Sequence, residues 1–185
     1  MTSAFLLYPH ANIRYRQSLL QLAVQELSMT LSALGREAEV VPQKMGGAMF
    51  LTFEAAKLTE RDMRMLSQLA SVYMLFEMED GKLTTLERTH PNYVGEDLPA
   101  LLKYKGKTNE MFTATMLPMA LAASAFMPAH DSQLVVCDPM AGRGTTLMLA
   151  LRRGYHGVGN EIGKADVKEA EDYTTRCLEF TSKHY

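Results

Sequence analysis

Little in this sequence would staple, anchor or globally charge a protein. Its only cysteines, Cys137 and Cys177, lie far apart and share no metal-ligand spacing. That excludes a disulfide framework and predicts two buried thiols in a reducing compartment, with no metal site. No run approaches the roughly 20 apolar residues of a membrane span. The first residues also lack the basic, apolar and small-residue order of a signal peptide, so a cytoplasmic location without a membrane partner is expected. Nineteen Lys and Arg against twenty-one Asp and Glu give a formal charge of -2. Global basicity therefore does not announce nucleic acid, and any such contact needs a local patch. What is present is ordinary for a folded chain: 185 residues, 47% hydrophobic and 22% charged, with room for one or two small domains.

The first half alternates strand and helix signals. "AFLLYPHA" (4–11) reads as a strand, and residues 13–35 follow with helical spacing. Leu19, Leu20, Ala23, Leu27 and Leu31 share one face there, and Gly35 is the stop. "EAEVVPQ" and "GAMFLTFEA" are β-rich runs joined around "KMGG". Thr59 is the expected N-cap of a helix over 59–70, and "SVYMLFEME" (71–79) closes the series as a strand. Strand, helix, strand, strand, helix, strand is the ferredoxin-like order. Residues 81–102 then read as one further short strand and a linker. Nothing in this half reads as catalytic; His10 has no acidic neighbour in sequence, and the methionines fill core gaps.

The second half carries the chemistry. A helix over 107–127, kinked at Pro118, leads to "QLVVCDP", a glycine turn, the helix "TTLMLALRRG" and the strand "YHGVGNEI". This is a βαβ unit with Gly142 and Gly144 at its first strand-to-helix turn, where glycine lets backbone bend tightly and approach a ligand. Amides at the helix N-terminus could then hold polar atoms. A triphosphate loop needs Lys before Ser or Thr, and "GRGTT" has none. A dinucleotide fingerprint needs a third glycine where Leu147 stands, and its diphosphate would meet Asp138. S-adenosyl-L-methionine carries no phosphate and has a cationic end, which suits an acid at the strand tip. Glu161, 23 positions after Asp138, is the second acid, placed to accept ribose hydroxyls. Arg143 is expected to point into solvent, and the lysines of "KYKGK" (103–107) to be a solvated turn rather than phosphate contacts.

From Tyr104 to Ile162 the chain resembles the adenosylmethionine-dependent RNA methylases that modify guanine amines in tRNA, a group often carrying a THUMP domain. The resemblance rests on "YKGKTNEMFTATMLPMALAASAF" followed by "VVCDPMAGRGTTLMLALRRGYHGVGNEI". It implies a cofactor loop of Asp138, Pro139, Met140, Ala141, Gly142, Gly144, Thr145 and Thr146, with Glu161 on the ribose. Thr108 would join them through the preceding Tyr-x-Gly-x-Thr segment, here Tyr104, Gly106 and Thr108. The implied architecture is α/β overall with an α+β N-terminal part. A ferredoxin-like domain (1–88) and a linker (89–106) would precede the first half of a Rossmann-like class I methyltransferase domain (107–185).

The implied activity is methylation of nucleic acid, tRNA first and DNA as the other substrate class. Amine methylases of this kind also carry a later Asp/Asn-Pro-Pro-Tyr/Phe motif, and this sequence contains no Pro-Pro. The catalytic residues are thus not assigned, and the chain is expected to behave as a cofactor-binding fragment, inactive alone. Three other readings follow: a silent RNA-binding module, a partner-binding module, and an enzyme whose site another chain completes. A strand built for burial but lacking a second neighbour would favour self-association through its sheet edge.

Overall fold

The computed structural model describes residues 1–9, 16–88, 107–127 and 134–184; His10, Lys103, Tyr104, Lys105 and Gly106 lie outside them. The fold is mixed α/β. Among the described residues it has a five-stranded antiparallel sheet, a two-stranded parallel sheet and five helices. The chain divides into two compact units, Met1–His90 with Thr115–Met127, and Pro91–Ala114 with Pro128–Tyr185. No helix among the described residues is long and apolar enough to cross a membrane.

In the first unit, β1 (Thr2–Leu7), α1 (Arg16–Ala33), β2 (Val41–Met45), β3 (Ala48–Glu54), α2 (Glu60–Leu66), β4 (Val72–Glu79) and β5 (Lys82–Leu86) follow in order. The sheet order is β2-β3-β1-β4-β5, with β1 antiparallel to both β3 and β4. Two tight hairpins set the register. Gly46 and Gly47 join β2 to β3, and Asp80 with Gly81 joins β4 to β5, all four with positive φ. That is the backbone a two-residue turn needs to match strand twist. The core comprises Phe5, Ala23, Leu27, Leu31, Leu51, Phe53, Leu66, Leu69, Val72 and Leu75. The expected face of α1 is thus the packed one, its buried members being Ala23, Leu27 and Leu31.

Polar contacts close this unit at its turns. α1 ends on Gly35 with Gly35 N–H donating to Ser32 O and Arg36 N–H to Leu31 O, the two bonds of a Schellman motif. Arg36 is thereby delivered to α2, where its Nη2 meets Asp62 Oδ2 at 2.7 Å. Thr59 is the N-cap as expected, its hydroxyl accepting from Asp62 N–H while Asp62 accepts from Thr59 N–H. Burial pushes the Asp62 carboxyl up, but the Thr59 bonds and the Arg36 guanidinium outweigh it and hold it below its usual 3.8. The turn between α2 and β4 is gripped from both sides. Buried Glu26 accepts from Ala70 N–H, Ser71 N–H and the Ser71 hydroxyl, while Arg88 donates to the carbonyls of Ser67 and Val72.

The second unit is built around a parallel pair. β6 (Val135–Asp138), α4 (Thr145–Arg152) and β7 (His156–Gly159) form the βαβ unit, and α5 (Lys164–His184) follows. α3 (Glu110–Ala122), with Pro118 inside it, precedes them in the chain and divides between the two units after Ala114. Proline has no N–H to give the carbonyl four residues back. That carbonyl, on Ala114, accepts from Arg153 Nη2 at 2.9 Å instead. Lys107 pairs with Glu110, so this lysine of "KYKGK" is committed within the chain rather than solvated.

The thiols depart from expectation: Cys137 is exposed and Cys177 half-buried. The physical reason is the outer face of β6 and β7, where Val135 is 59% and Val158 55% exposed, so a residue beside them on β6 faces solvent as well.

Candidate functional site

β6 and β7 run in parallel register, with Asp138 opposite Gly159, so both strands deliver their C-terminal ends to the same edge. The chain leaving β6 turns through Pro139–Gly144 into α4, and the chain leaving β7 passes Asn160, Glu161 and Ile162 into α5. The two exits are stitched together: Asn160 N–H donates to Asp138 O and Ala141 N–H to Asn160 O, both at 2.9 Å. Asp138 and Glu161, the two acids singled out in the sequence, therefore stand at neighbouring strand exits.

Their carboxylates already hold backbone. Asp138 Oδ1 accepts from Met140 N–H at 3.0 Å. Glu161 bridges two loops, Oε2 accepting from Gly142 N–H at 2.9 Å and Oε1 from Gly163 N–H at 2.8 Å. Gly144 N–H donates to Ala141 O at 2.8 Å. The amides of Met140, Ala141, Gly142 and Gly144 are thus all spent inside the protein. An anion-cradling turn presents its amides outward. This turn presents carboxylates, each with two oxygens and about four acceptor positions in all, so both keep capacity for ligand donors.

Gly142 and Gly144 have φ of 52° and 84°, and Gly144 is the N-cap residue of α4. A Cβ at Gly144 would find ordinary contact distances, 3.7 Å to the Ala170 Cβ at the nearest, so the left-handed backbone is what demands glycine there. Two glycines that the sequence reading passed over matter through space instead. A Cβ on Gly159 would sit 2.7 Å from Leu147 Cδ1 and 2.8 Å from Ala141 Cβ, and one on Gly157 would sit 3.3 Å from Leu147. Close packing of helix on strand, the office of the third glycine in a dinucleotide fingerprint, is met here from the other side. The strand carries the glycines and the helix carries Leu147. The spacing Gly-Val-Gly at the end of a short strand was the available signal.

The remaining expected site residues divide by access. Met140 is 84% exposed and Pro139 is exposed beside it, while Ala141, Gly142 and Thr146 are half-buried and Gly144 and Thr145 are buried. The Thr145 side chain is packed at the first residue of α4 rather than open to a ligand. Thr108 is exposed just ahead of α3. Ile162, not among the expected residues, is 97% exposed immediately after Glu161. Its signal was an apolar β-branched residue outside any strand, between an acid and a glycine.

Arg143 does not point into solvent. Its Nε donates to Asp166 Oδ1 at 2.8 Å and its Nη1 meets Glu169 Oε2 at 2.7 Å, both acids lying on the first turns of α5. A guanidinium fork finds a better partner in two carboxylates one helical turn apart than in water. No group of three or more His, Cys, Asp or Glu among the described residues is arranged to hold a metal ion. Set beside known proteins, the chain matches no family model and no curated protein.

Proposed function

We propose that the second unit binds S-adenosyl-L-methionine across the Asp138–Thr146 turn and Glu161, and that the protein serves adenosylmethionine-dependent methylation of nucleic acid. One observation carries the reading: the turn has used the amides of Met140, Ala141, Gly142 and Gly144 internally and offers two carboxylates at adjacent strand exits. A diphosphate would meet acceptors where it needs donors. Ribose hydroxyls and a cationic methionine end bring the donors and positive charge that two carboxylates favour. Exposed Met140 and Ile162 add apolar surface beside those acids, suited to a flat purine.

The fold reading belongs to the same proposal. The order β2-β3-β1-β4, with α1 and α2 in the βαββαβ sequence, supports a ferredoxin-like first domain extended by β5. The parallel β6-α4-β7 pair supports the opening of a Rossmann-like methyltransferase domain. The bound cofactor supplies an activated methyl group. The residues here bind and orient it, with Asp138 and Glu161 as acceptors and the glycine turn giving backbone access. A guanine amine in tRNA is the substrate class that the sequence resemblance supports. The sequence holds no Pro-Pro motif to orient such an amine, so no methyl transfer is expected from this chain alone. Label from adenosylmethionine entering bulk tRNA, and lost in Asp138→Ala, would overturn that part.

Calorimetric titration with adenosylmethionine, NAD and ATP tests the ligand. Adenosylmethionine is expected to bind and the two phosphate ligands not to. Asp138→Asn and Glu161→Gln should each weaken it by about ten-fold, the scale of a hydrogen bond to a charged group. Binding of NAD in place of adenosylmethionine would refute the proposal.

A further inference from the structure

Gly142 and Arg143 are consecutive, and each is tied to the segment that follows β7. Gly142 N–H is held by Glu161, whose other oxygen holds Gly163 N–H. Arg143 reaches past them to Asp166 and Glu169. Gly163 is itself fitted to this arrangement, since a Cβ there would lie 2.9 Å from Asp166 Oδ2 and 3.3 Å from Glu161 Oε1. Gly144, on the other side of Arg143, approaches Ala170 of α5. The glycine turn is thus fastened to the start of α5 along its length, and the Glu161 carboxylate lies inside the fastening.

We infer that Arg143 is a positioning residue that acts through Gly142 on Glu161. By clasping α5 it keeps the glycine turn at the distance where the Glu161 carboxylate spans both amides, and so it sets the direction in which the remaining acceptor positions face. An exposed ion pair contributes little by itself. This one differs because one planar fork engages two acids on successive helical residues of one face, and because the adjoining residue carries the amide that orients the site's acid. Release of the clasp lets the turn lift from α5, and Glu161 then loses Gly142 and its fixed orientation. The inference rests on the adenosylmethionine reading only for what Glu161 holds. The clasp itself is a property of the chain without ligand.

Two measurements test it, on the full chain. The first is amide exchange at Gly142 and Gly163 without ligand, in wild type, R143Q, R143K and the D166N/E169Q pair. R143Q and D166N/E169Q are expected to speed exchange at both amides by about five-fold or more, the scale of a coupling between contacting groups. Amides of β3 should be unchanged, and R143K, which retains charge but not the fork, should fall between. The second is titration with adenosylmethionine and with adenosine, which has the ribose but no sulfonium. Both affinities should fall by the same factor in R143Q, and R143Q should add nothing in an E161Q background.

Unchanged exchange at Gly142 in both R143Q and D166N/E169Q would overturn the inference. So would a full R143Q effect on affinity in the E161Q background, because Arg143 would then act independently of Glu161. If wild type binds neither nucleoside, the ligand reading fails, and the clasp stands or falls on the exchange rates alone.

Discussion

In the first unit Phe5, Leu27, Leu51, Leu66 and Leu75 are buried within a ten-residue core, whereas among the described residues of the second the buried apolar side chains are Met148, Leu149, Ala150 and Tyr155, with half-buried Tyr173 and Cys177 packed on Met148. The first unit is held by apolar volume between a five-stranded sheet and its helices. The second, with less apolar burial, leans more on directional ties: Glu161 to two amides, Arg143 to two acids, Arg153 to the Ala114 carbonyl, and glycines on β7 that admit Leu147. The lesson concerns sensitivity. Removing methylenes should damage the first unit, and moving a charge or adding one methyl should damage the second.

The largest expected effect follows from burial. Leu51→Ala should destabilise by about 2–5 kcal/mol, as large-to-small changes in a close-packed core do. Denaturant unfolding followed by circular dichroism measures it, and a loss no greater than that of Val135→Ala would break the comparison.

Next in size is a methyl in the wrong place. Gly159→Ala should cost about 1–3 kcal/mol by overpacking against Leu147 and Ala141, with a matching loss of adenosylmethionine affinity. Leu147→Ala in the same chain should recover part of it. If Gly159→Ala melts and binds like wild type, Leu147 does not rest on that strand.

Smaller effects attach to the α2 cap. Thr59→Ala should cost about 1 kcal/mol. Asp62 is held below its usual 3.8 although burial pushes it up. A carboxyl lower in the folded than in the unfolded chain adds stability above the unfolded pKa, and loses it as the pH falls through the folded one. The stability advantage of wild type over Asp62→Asn should therefore be full near neutrality and shrink as the pH drops below about 3.8. Melting curves across that range check it, and a constant gap would show that the ionised form contributes nothing.

The smallest effect on stability belongs to the outer strand face. Val158→Lys should change the unfolding free energy by under about 0.5 kcal/mol, as surface substitutions do. It should nevertheless reduce any self-association seen by light scattering over a concentration series. A wild type that stays monomeric at every concentration would remove the self-association expected of this parallel pair's open edge.

Much of this was legible in the sequence, and for physical reasons. Gly46-Gly47 marks a turn because few other pairs accept positive φ twice, and Thr59 marks a helix start because its hydroxyl replaces a missing carbonyl. The turn at Gly142 and Gly144 and the acids Asp138 and Glu161 were readable from local spacing. The partners of Arg143 were not, since Asp166 and Glu169 become neighbours only once β7 lies beside β6; their own separation of three on a helix was the one hint. The commitment of four turn amides was equally invisible, because a glycine-rich turn reads alike whether its N–H groups face outward or inward. Cys137 was misread for a related reason: an apolar neighbourhood in sequence does not say which face of a strand is covered.

Pro118 carries a consequence for how this protein can change. Any other residue at that position could donate to Ala114 within the helix, so that the carbonyl would no longer depend on Arg153. Loss of Arg153 is correspondingly more harmful while Pro118 remains than once it is gone. The two positions thus impose an order on substitution: 118 can drift first and release 153, but 153 cannot drift first without stranding a carbonyl. A cycle of Pro118→Ala and Arg153→Met, read by thermal melting, would show that asymmetry as a double mutant more stable than Arg153→Met alone.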